Sequence, residues 1–218
     1  IVDRLMEKAA VPASQFLADG FFSVSKKLKP EAFDPDGAKK LLAEAGFPNG
    51  FKMTLHGPNG RYINDARMAE AVAQMFTRIG VETKVETMPP AVFFNRASAG
   101  AGGNPEFSFI LVGWGSGTGE VSSPLKSLVA TFDKTKGMGT ANRGRYSNPD
   151  LDKAIDEALA TVDDAKRAEM LAKASEIAIE DVGVIVSHYQ LNTWATRKGL
   201  KYTPRTDEYT IATSVSEQ

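Results

Sequence analysis

Apolar residues at helical spacing alternate with short stretches of every-other-residue spacing through the first half of the chain. Ile1, Val2, Leu5, Met6 and Ala9 follow a helical stripe, with no Ser, Thr, Asp or Asn before them. Val11 to Phe33 is interrupted by Pro12, Gly20 and Pro30 and predicts irregular structure. Asp34-Pro35 opens a helix, with Asp as cap and Pro at its first position. Ala38, Leu41, Leu42 and Ala45 form its apolar face, and Gly46 ends it. After a Pro48-Asn49-Gly50 turn, Phe51 to Leu55 alternates as a strand, and His56 to Arg61 reads as a loop. Asn64 or Asp65 can cap the next helix, whose stripe is Met68, Ala69, Val72, Met75, Phe76 and Ile79, stopped by Gly80. Val81 to Met88 alternates as a second strand. Pro89-Pro90 starts a short helix through Ala91, Phe94 and Ala97, and Ala99 to Gly103 is a glycine-rich loop. Phe107 to Val112 is apolar enough for a central third strand.

This order of strand, helix, strand, helix, strand predicts an α/β sheet with crossover helices. Beyond it, a helix is expected from about Pro124, then a loop from Asp133 to Tyr146 rich in Lys, Arg and Gly. Asn148-Pro149 caps a helix with Leu151, Ile155, Ala158 and Leu159 inside. Asp163 caps another with Ala168, Leu171, Ala174, Ile177 and Ala178 inside, and the tight connection predicts an antiparallel pair. Val184 to Val186 and Leu191 to Ala195 read as late strands. The tail from Lys198 carries little pattern beyond Ile211 and Val215.

Composition narrows the classes. A chain of 218 residues with 42% hydrophobic residues can build a core. A net charge of −1 without a dominant basic cluster argues against nucleic acid or an anionic membrane as main partner. No apolar run approaches a membrane-spanning length. The absence of cysteine excludes disulfides, thiolate metal sites and a Cys nucleophile. An uncapped helix at Ile1 suggests a chain cut from something longer.

The stretch with most chemical promise is Gly113 to Gly119, a Trp and two hydroxyl residues among glycines where the third strand ends. Trp114 offers a broad apolar face and an N–H donor, and glycines let another group approach the backbone. Taken locally, a core Trp beside a flexible loop fits as well. The nucleotide motifs fail: Thr118 and Glu120 stand where G-x-G-x-x-G needs glycine, and no P-loop or G-x-S-x-G elbow occurs. His56 and His188 share no ligand spacing and read as structural or surface residues. Carboxylates such as Asp152, Asp156 and Glu157 lie on helix faces, where solvated charge is the default. Arg61, Arg143 and Arg145 lie in loops, where an arginine can clamp a ligand carboxylate or simply be solvated.

Several phrases in order carry a family resemblance: Phe33 through Gly46, Ile79-Gly80-Val81, Gly113-Trp114, Tyr146 through Asp152, and Trp194 through Arg197. Together they resemble the C-terminal half of the peptide/nickel-type (family 5) extracellular solute-binding proteins of ABC importers. The resemblance implies an α/β fold, the C-terminal lobe of a type II, cluster C-like periplasmic binding protein, with a mixed sheet flanked by helices. It implies a truncated helix and inter-lobe segment over 1–33, the ligand-binding lobe over 34–197, and a tail over 198–218 that returns to a missing N-terminal lobe. It implies a non-catalytic protein without cofactor or metal, periplasmic or, in a Gram-positive host, extracellular and membrane-anchored. Its partners would be a peptide or other small polar solute, the permease subunits in the membrane, and the missing lobe. Trp114, Gly115, Ser116 and Gly117, with Arg61 and Arg143, are the expected ligand-binding residues. In peptide-binding members an Asp three residues after this Trp holds the α-ammonium; Gly117 stands there here, so the solute is left open. Two rival readings are a small hydrolase-like α/β enzyme using the Gly113–Gly119 loop, and an interaction domain with Trp114 in its core.

Overall fold

In the computed structural model, residues 1–100, 104–205 and 207–218 are described. The expected loop at Ala99 to Gly103 falls outside them at 101–103. The elements in chain order are β1 (Ala10–Pro12), α1 (Pro35–Glu44), β2 (Lys52–Pro58), α2 (Asp65–Arg78), β3 (Glu82–Met88), α3 (Pro90–Ser98) and a single turn α4 (Ser122–Pro124). A π-helix over Leu125–Val129 comes next, then α5 (Pro149–Leu159), α6 (Asp164–Glu180), β4 (His188–Gln190), β5 (Leu200–Tyr202), a 3-10 turn at Ala212–Ser214 and β6 (Val215–Glu217). Two compact units share these elements. The first comprises Ile1–Glu7, Pro30–Gly113 and Thr131–Tyr146; the second comprises Lys8–Lys29, Trp114–Ala130 and Ser147–Gln218.

The first unit is built on the parallel pair β2–β3, in register from Lys52 opposite Glu82 to Pro58 opposite Met88. Parallel strands need a crossover, and α2 supplies it, packing on both. The predicted third strand is reduced to one parallel bridge, in which His56 N–H donates to Phe109 and Leu111 N–H donates to His56. Below it, Met88, Phe93, Ala97 and Phe107 form a buried cluster, with Phe94 and Ile110 against it. Phe93, rather than the expected Phe94, takes the innermost place on α3. The turn before β2 meets the turn before β3 so closely that a β-carbon on Gly50 would lie 1.8 Å from the Gly80 carbonyl oxygen. Both glycines also have positive φ, so neither position suits a side chain.

Cap chemistry decided α1 as predicted: Asp34 accepts from Gly37 N–H at 2.9 Å. Its apolar face is nevertheless only partly covered: Ala38 and Leu42 are half-buried and Leu41 is 66% exposed. Spacing defines which side of a helix is apolar; only a facing element can bury it. The stripe of α2 is also narrower than expected, with Met68, Ala69 and Ala73 buried and Met75 exposed. At the N-terminus, the expected helix is a single turn, Leu5 and Met6 N–H donating to Ile1. Glu7 and Lys8 have positive φ, which ends any helical run.

The second unit is held by α5 and α6, which pack on one another, while α6 also packs on the π-helix. Asn148 and Asp163 cap them, accepting N–H groups of Asp150 and Leu151, and of Lys166. Leu151, Ile155, Leu171, Ala174 and Ala178 are buried, whereas Leu159 is exposed. The late strands fall between the predicted positions: β4 pairs antiparallel with β1, Val11 opposite Tyr189. Tyr189 OH reinforces the pair, donating to the carbonyls of Gln15 and Leu17. In the tail, β5 pairs antiparallel with β6. The class is α/β, as expected, but the named strands form three separate pairs instead of one mixed sheet.

Candidate functional site

The boundary between the units falls inside the glycine-rich stretch, at the Gly113–Trp114 peptide. Each side is therefore built on its own support.

On the first unit, the loop before α2 is organised by Asp65. Its buried carboxylate accepts from the N–H groups of Gly60, Arg61, Tyr62 and Ala66, at 2.7–3.1 Å. Burial pushes its pKa upward, but the four backbone donors together outweigh this and hold it below the ordinary aspartate value. Asn64 takes the left-handed conformation at the helix start and donates its side-chain amide to Leu5 O. The loop so fixed presents Arg61 and Tyr62. Arg61 is exposed, its guanidinium 5.0 Å from the Tyr62 ring centre. Tyr62 OH donates to Gly113 O at 3.3 Å.

Arg143 stands in the loop 131–146. Its guanidinium lies 5.2 Å from the Phe94 ring centre, and Nε donates to Ser98 Oγ at 3.3 Å. Among the described residues, its buried Nη1 meets no acceptor. Burial lowers its pKa, with the Tyr62 oxygen opposing. Arg145 is directed elsewhere: its guanidinium lies 4.0 Å from the Phe132 ring centre and donates to Asn142 O. Thus Arg61 lies on the Tyr62 ring, Arg143 on the Phe94 ring and Arg145 on the Phe132 ring.

On the second unit, Trp114 is exposed at 39%, which removes the reading of a core Trp. A β-carbon at Gly115 or Gly117 would meet nothing within 4 Å, so both backbones are open to approach. Ser116 differs from its neighbours. It is buried, and its Oγ donates to Glu120 O at 2.7 Å and lies 3.1 Å from Thr118 Oγ1. That hydroxyl holds the loop's shape. The far end of the loop is tied to the 20–25 segment: Phe22 N–H donates to Gly119 O, and Val121 N–H donates to Ser23 Oγ. Glu120 accepts from Ser122 Oγ and pairs with Arg167 at 3.4 Å. Its carboxylate is occupied and does not replace the acid missing at Gly117.

The histidines are fixed separately. His56 stacks on Phe107 with ring centres 4.0 Å apart and lies 3.5 Å from Glu86. His188 contacts Ser187 Oγ, and burial lowers its pKa. Among the described residues, no group of three or more His, Asp or Glu could hold a metal ion. Two surface depressions, one lined by Ala73, Thr83 and Val85, the other by Leu42, Phe47 and Ile79, include neither Trp114 nor Arg61, Arg143 or Arg145. Sequence reasoning missed Tyr62, Phe94 and Ser98. Their signal was weak: Tyr62 adjoins a predicted arginine, but nothing in the spacing links residues 62, 94 and 143.

Comparison with known proteins adds an independent line. Residues 1–136 match the family described as bacterial extracellular solute-binding proteins, family 5 Middle. The chain is 28% identical over 183 residues to heme-binding protein A of Haemophilus influenzae, covering 81% of this chain and 31% of that protein. It is 26% identical over 198 residues to the dipeptide-binding protein of Escherichia coli, covering 86% and 34%. The chain thus spans about a third of the length of these curated relatives. Among solved structures, HbpA2 of Haemophilus parasuis superposes with a TM-score of 0.82 at 24% identity, covering 100% of this chain and 42% of that one. The periplasmic binding protein DppA of Helicobacter pylori, in complex with the peptide STSA, gives 0.76 at 22% identity, covering 87% and 35%. These likenesses are of fold. With the match over residues 1–136, the chain belongs to the family 5 bacterial extracellular solute-binding proteins.

Proposed function

We propose that this chain forms the C-terminal ligand-binding lobe of the substrate-binding component of an ABC importer. It takes a peptide or another small polar solute and delivers it to the membrane permease. The observation that carries this reading is Trp114: an exposed indole flanked by glycines, in a loop whose far end is fastened by Ser116, Ser23 and Phe22. A rigidly supported loop with an open backbone is suited to line a cleft. The similarity to a heme-binding and a dipeptide-binding protein supports a small molecule or short peptide as the solute.

The mechanism is population shift. A second lobe closes over the solute, contacts made only in the closed form favour it, and the closed form docks on the permease. Residues 1–33 would belong to the inter-lobe segment and 198–218 to the return toward the second lobe. The setting would be the periplasm, or the outer face of the membrane in a Gram-positive host. The role is non-enzymatic. The hydrolase-like alternative needs Ser116 as nucleophile, and its hydroxyl is engaged with Glu120 O and Thr118, with no histidine among its partners.

Tryptophan fluorescence of the full-length protein tests the reading. With every tryptophan except Trp114 replaced by Phe, iodide should quench Trp114 without solute and lose access when solute is added. Unchanged quenching across saturating solute would remove Trp114 from the cleft.

A further inference from the structure

We infer that the outer edge of β3 is a dimerisation surface, on which a second copy of this chain adds its own β3 antiparallel about a two-fold axis at Val85. The inference goes beyond the solute-binding reading and does not depend on it.

β2 is bonded on both sides, by β3 along its length and by the 109–111 segment at His56. β3 is paired with β2 alone. In a parallel ladder, alternate residues turn their main chain to the neighbour. Glu82 N–H donates to Phe51 O, so Glu82, Lys84, Glu86 and Met88 face β2, and Thr83, Val85 and Thr87 face outward. The Thr83 N–H is taken by Thr77 Oγ1 at 3.3 Å. Among the described residues, nothing bonds the main chain of Val85 or Thr87. Such a row of free donors and acceptors is a template for another strand.

The charges of β3 select its own copy as that strand. With Val85 opposite Val85 of the other copy, each residue with an outward main chain meets another: Val85 exchanges both hydrogen bonds with its counterpart, and Thr83 O can accept from Thr87 N–H. Lys84 of each copy then lies directly opposite Glu86 of the other, in the closer, non-hydrogen-bonded pairing. Lys84 is exposed and, among the described residues, has no ion-pair partner. Glu86 stays 44% exposed beside His56 and Arg96, with room for a further cation. Moving the axis by one residue either way would set Lys84 against Lys84 or Glu86 against Glu86, so the charges also fix the register.

The helix above the edge is complementary in the same sense. Ala73 and Gln74 of α2 share a depression with Thr83 and Val85. An axis at Val85 brings the two copies of α2 together, antiparallel, about Gln74. Glu70 and Arg78 stand four residues to either side of Gln74, so Glu70 of one copy is directed toward Arg78 of the other. Both line the depression. The surface is thus self-complementary on both faces of the sheet, as a two-fold interface requires.

Sedimentation equilibrium of the full-length protein over a dilution series tests the inference. A dimer that dissociates on dilution is expected. Lys84→Glu sets acid against acid at both symmetric positions and should raise the dissociation constant at least about tenfold. Val85→Pro removes the two central donors without touching the ladder to β2 and should abolish the dimer. Lys39→Glu on α1 makes the same change in net charge away from β3 and should leave the dimer as it is. Unfolding midpoints verify that the variants fold; if Val85→Pro does not, Lys84→Glu carries the test, since Lys84 has no partner to lose. A monomer at every concentration overturns the inference. So does a dimer that Lys84→Glu does not weaken, or that Lys39→Glu weakens equally.

Discussion

The Tyr62 ring occupies the space that any side chain at residue 113 would need: a β-carbon on Gly113 would lie 2.7 Å from Tyr62 Cε1. The phenol also donates to the carbonyl of that same glycine. Gly113→Ala should therefore displace the ring and destabilise the protein by about 1–3 kcal/mol, as overpacking does. In a Tyr62→Ala background the same substitution should be close to neutral. Urea unfolding of the four proteins measures this, and an undiminished Gly113→Ala penalty without the ring would refute the contact's role.

Asp65 makes a pH-dependent contribution whose sign follows from its environment. Its folded pKa lies below the unfolded value of about 3.9, because four N–H donors outweigh burial. The stability it supplies is complete above the unfolded value and is lost as pH falls through the folded one. Asp65→Asn should thus destabilise at pH 7 and converge toward wild type in strong acid. Asp65→Ala, which leaves all four donors without that acceptor, should cost about 3 kcal/mol or more at pH 7. A wild-type-to-variant difference that stays constant from pH 7 to pH 2 would contradict this account.

Glu176 is the second buried acid, accepting from Ser25 Oγ at 2.7 Å and pairing with Lys27 and Lys173. Both lysine side chains are largely exposed, at 78% and 60%, so removing the acid strands no buried cation. Glu176→Ala should consequently cost only about 1–2 kcal/mol, chiefly the Ser25 hydrogen bond. A loss above 4 kcal/mol in urea unfolding would show that the pair is coupled more strongly than its exposure implies.

Gly117 stands where the resemblance to peptide binders places an ammonium-holding Asp. Its β-carbon position is open and its φ is not in the left-handed region, so Gly117→Asp should fold with a stability change within about 0.5 kcal/mol. The variant should gain affinity for dipeptides over their N-acetylated forms. Equal affinity for both in the variant would mean that this position does not face the ligand's amino end.

The helices were legible because their chemistry is local. Asp34, Asn148 and Asp163 each accept the backbone N–H groups that a cap should. The strands β1 and β4 were not legible, since three residues are too few to show alternation and their pairing joins residues about 180 apart. Val184 to Val186 is apolar, but the paired segment is the following His188–Gln190, stabilised by a tyrosine hydroxyl whose acceptors lie near the other end of the chain. At the site, the glycines around Trp114 announced an open backbone. The contact of Arg143 with Phe94 and Ser98 depends on how distant segments pack, and spacing contains no record of that. Ser116 was expected to face ligand; its burial and its bond to Glu120 O place its hydroxyl within the loop's own framework.

The central claim is that the Trp114 loop is the wall of a solute-binding cleft. The most direct measurement is the dissociation constant of the solute that co-purifies with the full-length protein, for wild type and Trp114→Ala, beside their unfolding midpoints. Because the indole is exposed, the account predicts unfolding free energies within about 0.5 kcal/mol of one another and a loss of affinity of at least about tenfold. Equal affinity in the two proteins, or the absence of any retained or titratable solute, would contradict it.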